Sequence, residues 1–249
     1  IPVFHDDQHG TAIVVAAGLL NALELQGKRL EDAKIVCIGA GAAGIASMRL
    51  LVALGANKAN MLLLDSQGVI HTGRENLNPY KFAFATTSHE RTLDEALVDA
   101  DVFIGVAKPD LLTPKAILFA LSNPNPEIRP EVAREVRDDL ILATGRSDYP
   151  NQVNNVLCFP YIFRGALDAR ATCINQAMQM AAVEAIRGLV HEPVPAEVKH
   201  NYPGVKDWEF GPEYILPKPI DPRLKACVSR AVYDAAVTSG VSTLTSEGN

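Results

Sequence analysis

Apolar residues recur at helical spacing near the start of the chain and form short continuous runs farther along. Between positions 12 and 23 they lie three and four residues apart, and most positions between them are apolar too. This pattern predicts a first helix over 10–26 that is buried on most sides. The short runs predict buried strands over 33–38, 60–64, 101–106, 116–121 and 140–145. Other helical patterns fall at 92–100, Thr113-Pro114, 171–189 and 222–239.

A glycine-rich turn follows the first of these strands. Gly39, Gly41 and Gly44 form the pattern G-x-G-x-x-G before a helical run. The first glycine permits a tight turn, the second lets the backbone approach a pyrophosphate, and the third allows close packing of helix on strand. Asp65 ends the second strand, where an acid that binds the ribose is expected. The residues predicted to bind a dinucleotide are therefore Gly39, Ala40, Gly41, Ala42, Ala43, Gly44 and Asp65.

Strands that alternate with helices predict parallel pairing through crossover helices. We therefore expect an α/β fold, with a doubly wound, mostly parallel Rossmann-type sheet and helices on both faces. Ligands should gather at the carboxyl ends of its strands. One domain is expected over 1–240, including a C-terminal strap and helix over 205–240, and residues 241–249 form a tail.

Composition excludes several classes of protein. The chain has 249 residues, of which 48% are hydrophobic, so it can bury a large core. A net charge of −6 without a Lys/Arg cluster argues against nucleic-acid binding. The apolar runs are too short for a membrane span, and nothing at Ile1 resembles a signal peptide. Four scattered cysteines predict reduced thiols in a cytoplasmic protein, and the absence of an initiator Met suggests a fragment.

Two adjacent carboxylates, Asp6 and Asp7, precede the first helix. In an extended segment their side chains would point to opposite faces, so one could bind a divalent cation while the other meets substrate or a catalytic base. Acids before a first helical turn are otherwise common, because they complement the helix dipole. A metal site made of His5 and His9 is disfavoured, since imidazole matches a magnesium-type site poorly in hardness.

Asparagines follow two of the predicted strands, at Asn123 and at Asn154-Asn155. Loop asparagines commonly stabilise turns through their own backbone. A neutral amide can also donate to a substrate carboxylate or a cofactor carboxamide without a charge that must be desolvated. We expect Asn123 and Asn155 to act in this second way.

Several segments together, in this order, resemble the cofactor-binding domain of malic enzymes, and the last resembles bacterial members in particular. They are residues 3–12, 39–44, 121–124, 152–156 and 210–224. The resemblance implies an NAD(P)-dependent decarboxylating malate dehydrogenase, which converts L-malate to pyruvate and CO2 with NAD or NADP and a Mg or Mn ion.

The resemblance also implies roles for individual residues. Asp7 matches the family's metal ligand, and Asp6 matches an aspartate that supports the catalytic lysine. The residues implied to contact malate or the nicotinamide side of the cofactor are Asn123, Asn154 and Asn155.

The family's tyrosine acid, lysine base and two further acidic metal ligands lie upstream of the His5 motif, and this chain does not contain that segment. A single carboxylate holds a hard cation weakly. We therefore predict that the isolated chain binds dinucleotide but does not turn over malate. Its expected partners are the missing N-terminal catalytic segment and further copies of itself, in a dimer or larger homo-oligomer.

Cofactor choice and function class stay open at this point. Asp65 favours NAD through the ribose 2′-hydroxyl, whereas Ser66, Arg74 or Lys81 could donate to the 2′-phosphate of NADP. The alternatives are a non-catalytic dinucleotide-binding module and another NAD(P)-dependent dehydrogenase of the amino-acid dehydrogenase type. The Asp6-Asp7 pair argues against both.

Overall fold

A six-stranded sheet forms the centre of the computed structural model, which describes residues 1–106, 117–122, 125–136, 139–205 and 207–244. Its spatial order is β3-β2-β1-β4-β5-β6. The strands are β1 (Ile35–Ile38), β2 (Met61–Asp65), β3 (Gly68–Val69), β4 (Val102–Gly105), β5 (Ile117–Ala120) and β6 (Ile141–Thr144). All five strands predicted from the sequence form. Four of them are shorter than predicted by one or two residues at one or both ends, and the strand predicted over 60–64 is shifted by one residue.

The sheet is parallel except at one edge. β1 pairs in parallel with both β2 and β4, and the parallel pairing continues from β4 through β5 to β6. Only β3 runs antiparallel, with Val69 opposite Leu64 of β2. The sequence did not predict β3, because two residues carry no periodic signal. The expected doubly wound, mostly parallel sheet is confirmed.

Helices cover both faces of the sheet. They are α1 (Thr11–Leu25), α2 (Ala42–Ala53), α3 (Pro79–Phe82), α4 (Leu93–Leu97), α5 (Pro130–Val136), α6 (Tyr161–Asp168), α7 (Gln176–Gly188), α8 (Ala196–Asn201) and α9 (Arg223–Thr238). Single 3₁₀ turns lie at Leu30–Asp32, Lys58–Asn60, Asn155–Leu157 and Leu189–His191.

Side chains of one strand alternate between two hydrophobic cores. Ile35 and Cys37 belong to the core shared with α1, α2, α6, α7 and α9, whereas Val36 and Ile38 belong to the core shared with α4 and α5. This alternation follows from the two-residue period of a strand. A strand buried on both faces therefore appears in the sequence as a continuous apolar run.

Two helices begin or end differently from the prediction. The helix expected over 92–100 spans only Leu93–Leu97, because Val98 is extended and Asp99 has a φ of +55°. The helix expected over 171–189 begins at Gln176, where Asn175 accepts a hydrogen bond from the N–H of Met178. The helix predicted at Thr113-Pro114 lies outside the described residues.

The C-terminal strap is bound to the main body by buried polar contacts. Tyr214, Ile215 and Leu216 are buried. The Asn21 amide donates to the carbonyl of Ile215 at 2.9 Å, and the N–H of Ile215 donates to Asn151 at 3.0 Å. The strap thus fixes α1 against the segment that follows β6. Among the described residues, we find no helix with the length and apolarity that a bilayer crossing requires.

Candidate functional site

The glycine turn joins β1 to α2 at the carboxyl end of the sheet. Gly39 has a φ of +112°, and a Cβ there would lie 2.8 Å from Cγ2 and 2.9 Å from the carbonyl oxygen of Val106. A side chain on Gly44 would overlap the carbonyl of Gly39. These two positions therefore require glycine, one for its backbone conformation and both for space.

Gly41 differs, because no neighbouring atom would clash with a side chain at this position. A Cβ on Gly41 would meet nothing within 4 Å. The residue forms the N-cap of the 12-residue helix α2, and its carbonyl accepts the N–H of Ile45 at 3.0 Å. Open space in front of a helix N-terminus, with backbone N–H groups pointing outward, suits the approach of a phosphate.

Asp65 ends β2 and forms ion pairs with two positively charged side chains. Arg74 donates to both carboxylate oxygens, at 2.9 and 3.0 Å, and Lys81 donates to one of them at 2.7 Å. Burial alone would raise the pKa of Asp65, but the hydrogen bonds from Arg74 and Lys81 outweigh it and hold the pKa well below its usual range. One negative and two positive charges meet here, so the cluster carries a net positive charge.

Asp6 and Asp7 lie in a helical turn rather than an extended segment. A single π-helical turn spans Asp6–Gly10 and runs directly into α1, with the N–H of His9 donating to the carbonyl of His5 at 2.8 Å. The prediction that the two side chains point to opposite faces is wrong, because that alternation belongs to extended backbone. Isolated π turns are frequent at functional sites.

The side chain of Asn155 connects this turn to the start of α1. Its Oδ1 accepts a hydrogen bond from the Thr11 hydroxyl at 3.0 Å, and its Nδ2 donates to the backbone carbonyl of Asp6 at 3.3 Å. Asn154 caps the 3₁₀ turn, accepting the N–H of Val156 at 3.1 Å. Both amides thus have local partners, and the oxygen of Asn154 serves the backbone as loop asparagines often do.

The carboxylate of Asp6 is only partly satisfied. Its Oδ1 is buried and has no hydrogen-bond partner among the described residues, and a side chain on Gly10 would overlap that oxygen. Burial raises the pKa of Asp6, Asn155 opposes the rise, and the negative charge of Asp7 adds to it. Asp7 itself is exposed.

The structure brings the sequence-predicted polar residues together in one cavity of about 490 Å³. The cavity opens between the carboxyl ends of β5 and β6. Its lining comprises Asp6, Asp7, Thr11, Leu121, Gly145, Val153, Asn154, Asn155, Val156 and Phe159. Asn123, which was also predicted to face this site, lies outside the described residues.

The π turn lies between this cavity and the glycine turn. Its residues Gln8 and His9 line a second cavity of about 540 Å³, whose wall also includes Ala40, Gly41 and Ala42. The second cavity lies beside the junction of β1 and β4, where the strand order reverses, and the first lies farther along the same edge, at the ends of β5 and β6. Ligands of open α/β sheets bind at such a junction.

Gly10 and Thr11 also belong to the site, although the sequence did not indicate it. They lie three and four positions after Asp7, and the hydrogen bond between Thr11 and Asn155 joins segments that are 144 positions apart in the chain. Glycine is common at a helix N-cap, so Gly10 before the first helix gave no specific signal for the site.

A metal ion would find few ligands here. Within the described part of the chain, no group of three or more His, Cys, Asp or Glu side chains could hold one. Asp7 offers an exposed carboxylate, which is a ligand that hard cations prefer. The fit to a divalent cation is therefore partial.

Comparisons with known proteins show the family of this chain. The family model described as the NAD binding domain of malic enzyme matches residues 8–209. An NADP-dependent malic enzyme of Halomonas elongata is 60% identical, over 97% of this chain and 59% of its own length. An NAD-dependent malic enzyme of Rhizobium meliloti is 52% identical, over 98% of this chain and 33% of its own length.

Solved structures show the same fold. The crystal structure of malic enzyme from Pyrococcus horikoshii superimposes with a TM-score of 0.86 and 39% identity, covering 98% of this chain and 57% of that one. The chain therefore spans between about a third and three fifths of the length of these relatives.

Proposed function

The chain belongs to the malic enzyme family through its NAD-binding domain, and we propose that it supplies the cofactor-binding part of an enzyme that converts L-malate to pyruvate and CO2 with NAD(P)⁺ and a Mg or Mn ion. The observation that carries the proposal is the position of the Asp6–Gly10 turn, which lines both the glycine-turn cavity and the cavity that contains Asp7 and Asn155. A dinucleotide on the glycine turn would reach the acidic pocket along the sheet edge. Family membership leaves the amino-acid dehydrogenase alternative without support.

The glycine turn would hold the pyrophosphate. Gly41 leaves the space that the phosphates need, and the N-terminal end of α2 supplies N–H donors and the positive end of the helix dipole. Ala40, Ala42 and Ala43 carry side chains too small to obstruct this approach. The nicotinamide half would then extend toward β4, β5 and the asparagines.

Asp7 would provide one carboxylate to the metal ion, which when bound withdraws charge from the substrate oxygens and so favours loss of CO2. One exposed carboxylate binds a hard cation weakly. We therefore propose that the other ligands come from the part of the relatives' length that this chain does not span, together with the catalytic acid and base.

Asp6 would position a cationic group rather than bind the metal. Its Oδ1 is buried and has no partner among the described residues, and a buried acceptor without a partner costs free energy unless a donor reaches it. A lysine from the rest of the enzyme could supply that donor. Asn155 would keep the turn in place through its contacts with Thr11 and Asp6.

We further propose that the cofactor is NADP rather than NAD. Both oxygens of Asp65 are occupied by Arg74 and Lys81, so the acid is poorly available to a ribose 2′-hydroxyl. The net positive charge of this cluster instead matches a 2′-phosphate, and Arg binds phosphate through paired donors.

Gly41→Asp tests the dinucleotide site. The new carboxylate would occupy the phosphate position without disturbing the fold, because the glycine faces open space. We expect the Kd for NADP⁺, measured by isothermal titration calorimetry, to rise at least about tenfold, a loss of about 1.4 kcal/mol. The matched control is Gly204→Asp, since Gly204 also has no neighbour within 4 Å. Unchanged NADP⁺ affinity in a folded Gly41→Asp variant would show that the glycine turn is not part of the cofactor site.

A further inference from the structure

A buried glutamate lies at the carboxyl ends of the central strands, and the proposed function does not use it. Glu127 is 0% exposed. Its carboxylate accepts the hydroxyl of Ser122 at 2.6 Å and the N–H of the same residue at 3.2 Å. Ser122 lies just beyond the end of β5 and immediately precedes Asn123. Two hydrogen bonds to one residue fix both its backbone and its side chain.

Glu127 also contacts the end of the neighbouring strand β4. A Cβ on Gly105, the last residue of β4, would lie 2.7 Å from Cγ and from Oε1 of the glutamate. The side chain therefore fills the space that the glycine leaves open. Burial raises the pKa of Cys37 in β1 to about 12, and the negative charge of Glu127 contributes to the rise. The carboxylate thus contacts the end of β4 and bonds to the residue beyond the end of β5, and its charge influences the pKa of a cysteine in β1.

This position lies on the nicotinamide side of the expected cofactor path. β1 and β2 carry the glycine turn and Asp65, so the adenosine half belongs on their side of the sheet. β4 and β5 lie beyond the reversal of strand order, where the other half of a dinucleotide extends.

A carboxylate at this position differs from an apolar side chain in what it holds in place. Burying a charge costs free energy that hydrogen bonds repay only in part, and a well-packed apolar side chain of similar size often serves stability equally well. What the carboxylate adds is a fixed geometry at the end of β5. Such fixed geometry is useful where a ligand must be held in one orientation.

We propose that Glu127 is a positioning residue that fixes the end of β5 through Ser122, so that the nicotinamide half of the cofactor is held in one orientation. The proposal rests on the proposed dinucleotide function. It concerns only the nicotinamide half, and it leaves the adenosine half unaffected. Glu127 acts through Ser122 and needs no contact of its own with the cofactor.

The test uses two ligands that report on the two halves separately. The fluorescence of bound NADPH reports the surroundings of the reduced nicotinamide ring, and 2′,5′-ADP contains the adenosine half alone. We expect the unmodified chain to bind both and to enhance NADPH emission. In Glu127→Gln the enhancement should fall by about half or more while the Kd for 2′,5′-ADP stays within about twofold, which is about 0.4 kcal/mol.

Two further variants keep the test decisive. Ser122→Ala removes the hydrogen bond from the hydroxyl to Glu127 and leaves the carboxylate in place, so we expect a smaller fall in NADPH enhancement than in Glu127→Gln. If Glu127→Gln does not fold, Ser122→Ala takes its place in the test. Glu135→Gln on α5 is the matched control, because Glu135 is exposed, and it should change neither reading.

The other outcomes overturn specific statements. Unchanged NADPH enhancement in folded Glu127→Gln and Ser122→Ala, or no enhancement by an unmodified chain that binds 2′,5′-ADP, would overturn the positioning role. Equal weakening of 2′,5′-ADP would show that Glu127 has only a general structural role. If the unmodified chain binds neither ligand but binds NADH, only the proposed preference for NADP fails. If it binds none of the three, the proposed function itself fails.

Discussion

Asp6 shows how a single residue can be stabilised by its neighbours and still be incompletely satisfied. Gly10 leaves space for its carboxylate and Asn155 supports the turn, yet one buried oxygen has no partner among the described residues. Such a group lowers the stability of the isolated chain, and this is typical of a residue retained for function.

Replacing Asp6 by Asn should therefore change how stability depends on pH. The folded state raises the pKa of Asp6, so the wild-type carboxyl stabilises the fold when protonated and loses that contribution as the pH rises through the folded pKa. We expect Asp6→Asn to melt at a higher temperature than wild type at pH 7. The difference should shrink toward about pH 4, near the ordinary pKa of an aspartate. Melting temperatures measured across this range by circular dichroism check it, and a constant difference would contradict it.

Gly10 gives a second prediction at the residue scale. Gly10→Ala forces a methyl group into Oδ1 of Asp6, because the added Cβ would overlap that atom. Crowding of this kind typically costs about 1–3 kcal/mol, and urea unfolding should show a loss of that size. Gly188→Ala is the control, since a Cβ there meets nothing within 4 Å. Equal stability of the two variants would contradict the packing described for the turn.

At the scale of elements, the ends of strands determine the site. The glycine turn follows β1, Asp65 ends β2, Ser122 follows β5, and Gly145 follows β6. These four strands place polar or flexible residues at the same sheet edge, because parallel strands end on the same side. The chemistry of the edge is thus set by residues far apart in sequence.

The end of β2 gives the prediction for cofactor choice. Changing Arg74 and Lys81 to Ala removes the donors proposed for the 2′-phosphate. Charge-assisted hydrogen bonds contribute about 1.5–3 kcal/mol, so the Kd for NADP⁺ should rise about 10- to 100-fold. The Kd for NAD⁺ should stay the same or fall, because the carboxylate of Asp65 then becomes available to the ribose 2′-hydroxyl. Lys225→Ala on α9 is the control, because that lysine is exposed on a helix outside the sheet edge. Parallel calorimetric titrations with both nucleotides decide, and equal losses for NAD⁺ and NADP⁺ would contradict the assignment.

The sequence predicts an element correctly where that element can be built only from particular types of residue. A doubly buried strand must be apolar throughout, and the positive φ of Gly39 requires glycine, so both are visible in the sequence. The π turn at Asp6 was missed because its geometry depends on Asn155, and the ion pairs of Asp65 were missed because Arg74 and Lys81 reach it through tertiary structure. The roles of Asp6, Asp7 and the asparagines in binding and catalysis stay predictions.

At the scale of the whole molecule, the C-terminal strap and α9 hold the cofactor-binding fold together. Asn21 in α1 and Asn151 after β6 both bond to Ile215 of the strap, so the strap connects the first helix with the segment that follows the last strand. Within the described residues the candidate site offers the exposed carboxylate of Asp7 and a carboxylate on Asp6 whose Oδ1 has no partner. We propose that the remaining part of the relatives' length completes the site and that the chain alone does not turn over malate.

A crystal structure of this chain with NADP⁺ would show directly whether one cofactor spans the glycine turn and the acidic cavity. We expect the pyrophosphate to lie at the N-terminal end of α2 against Gly41, and the nicotinamide ring to reach the cavity lined by Asp7 and Asn155. A nicotinamide ring that points away from this cavity, or a cofactor bound at the opposite edge of the sheet, would contradict it.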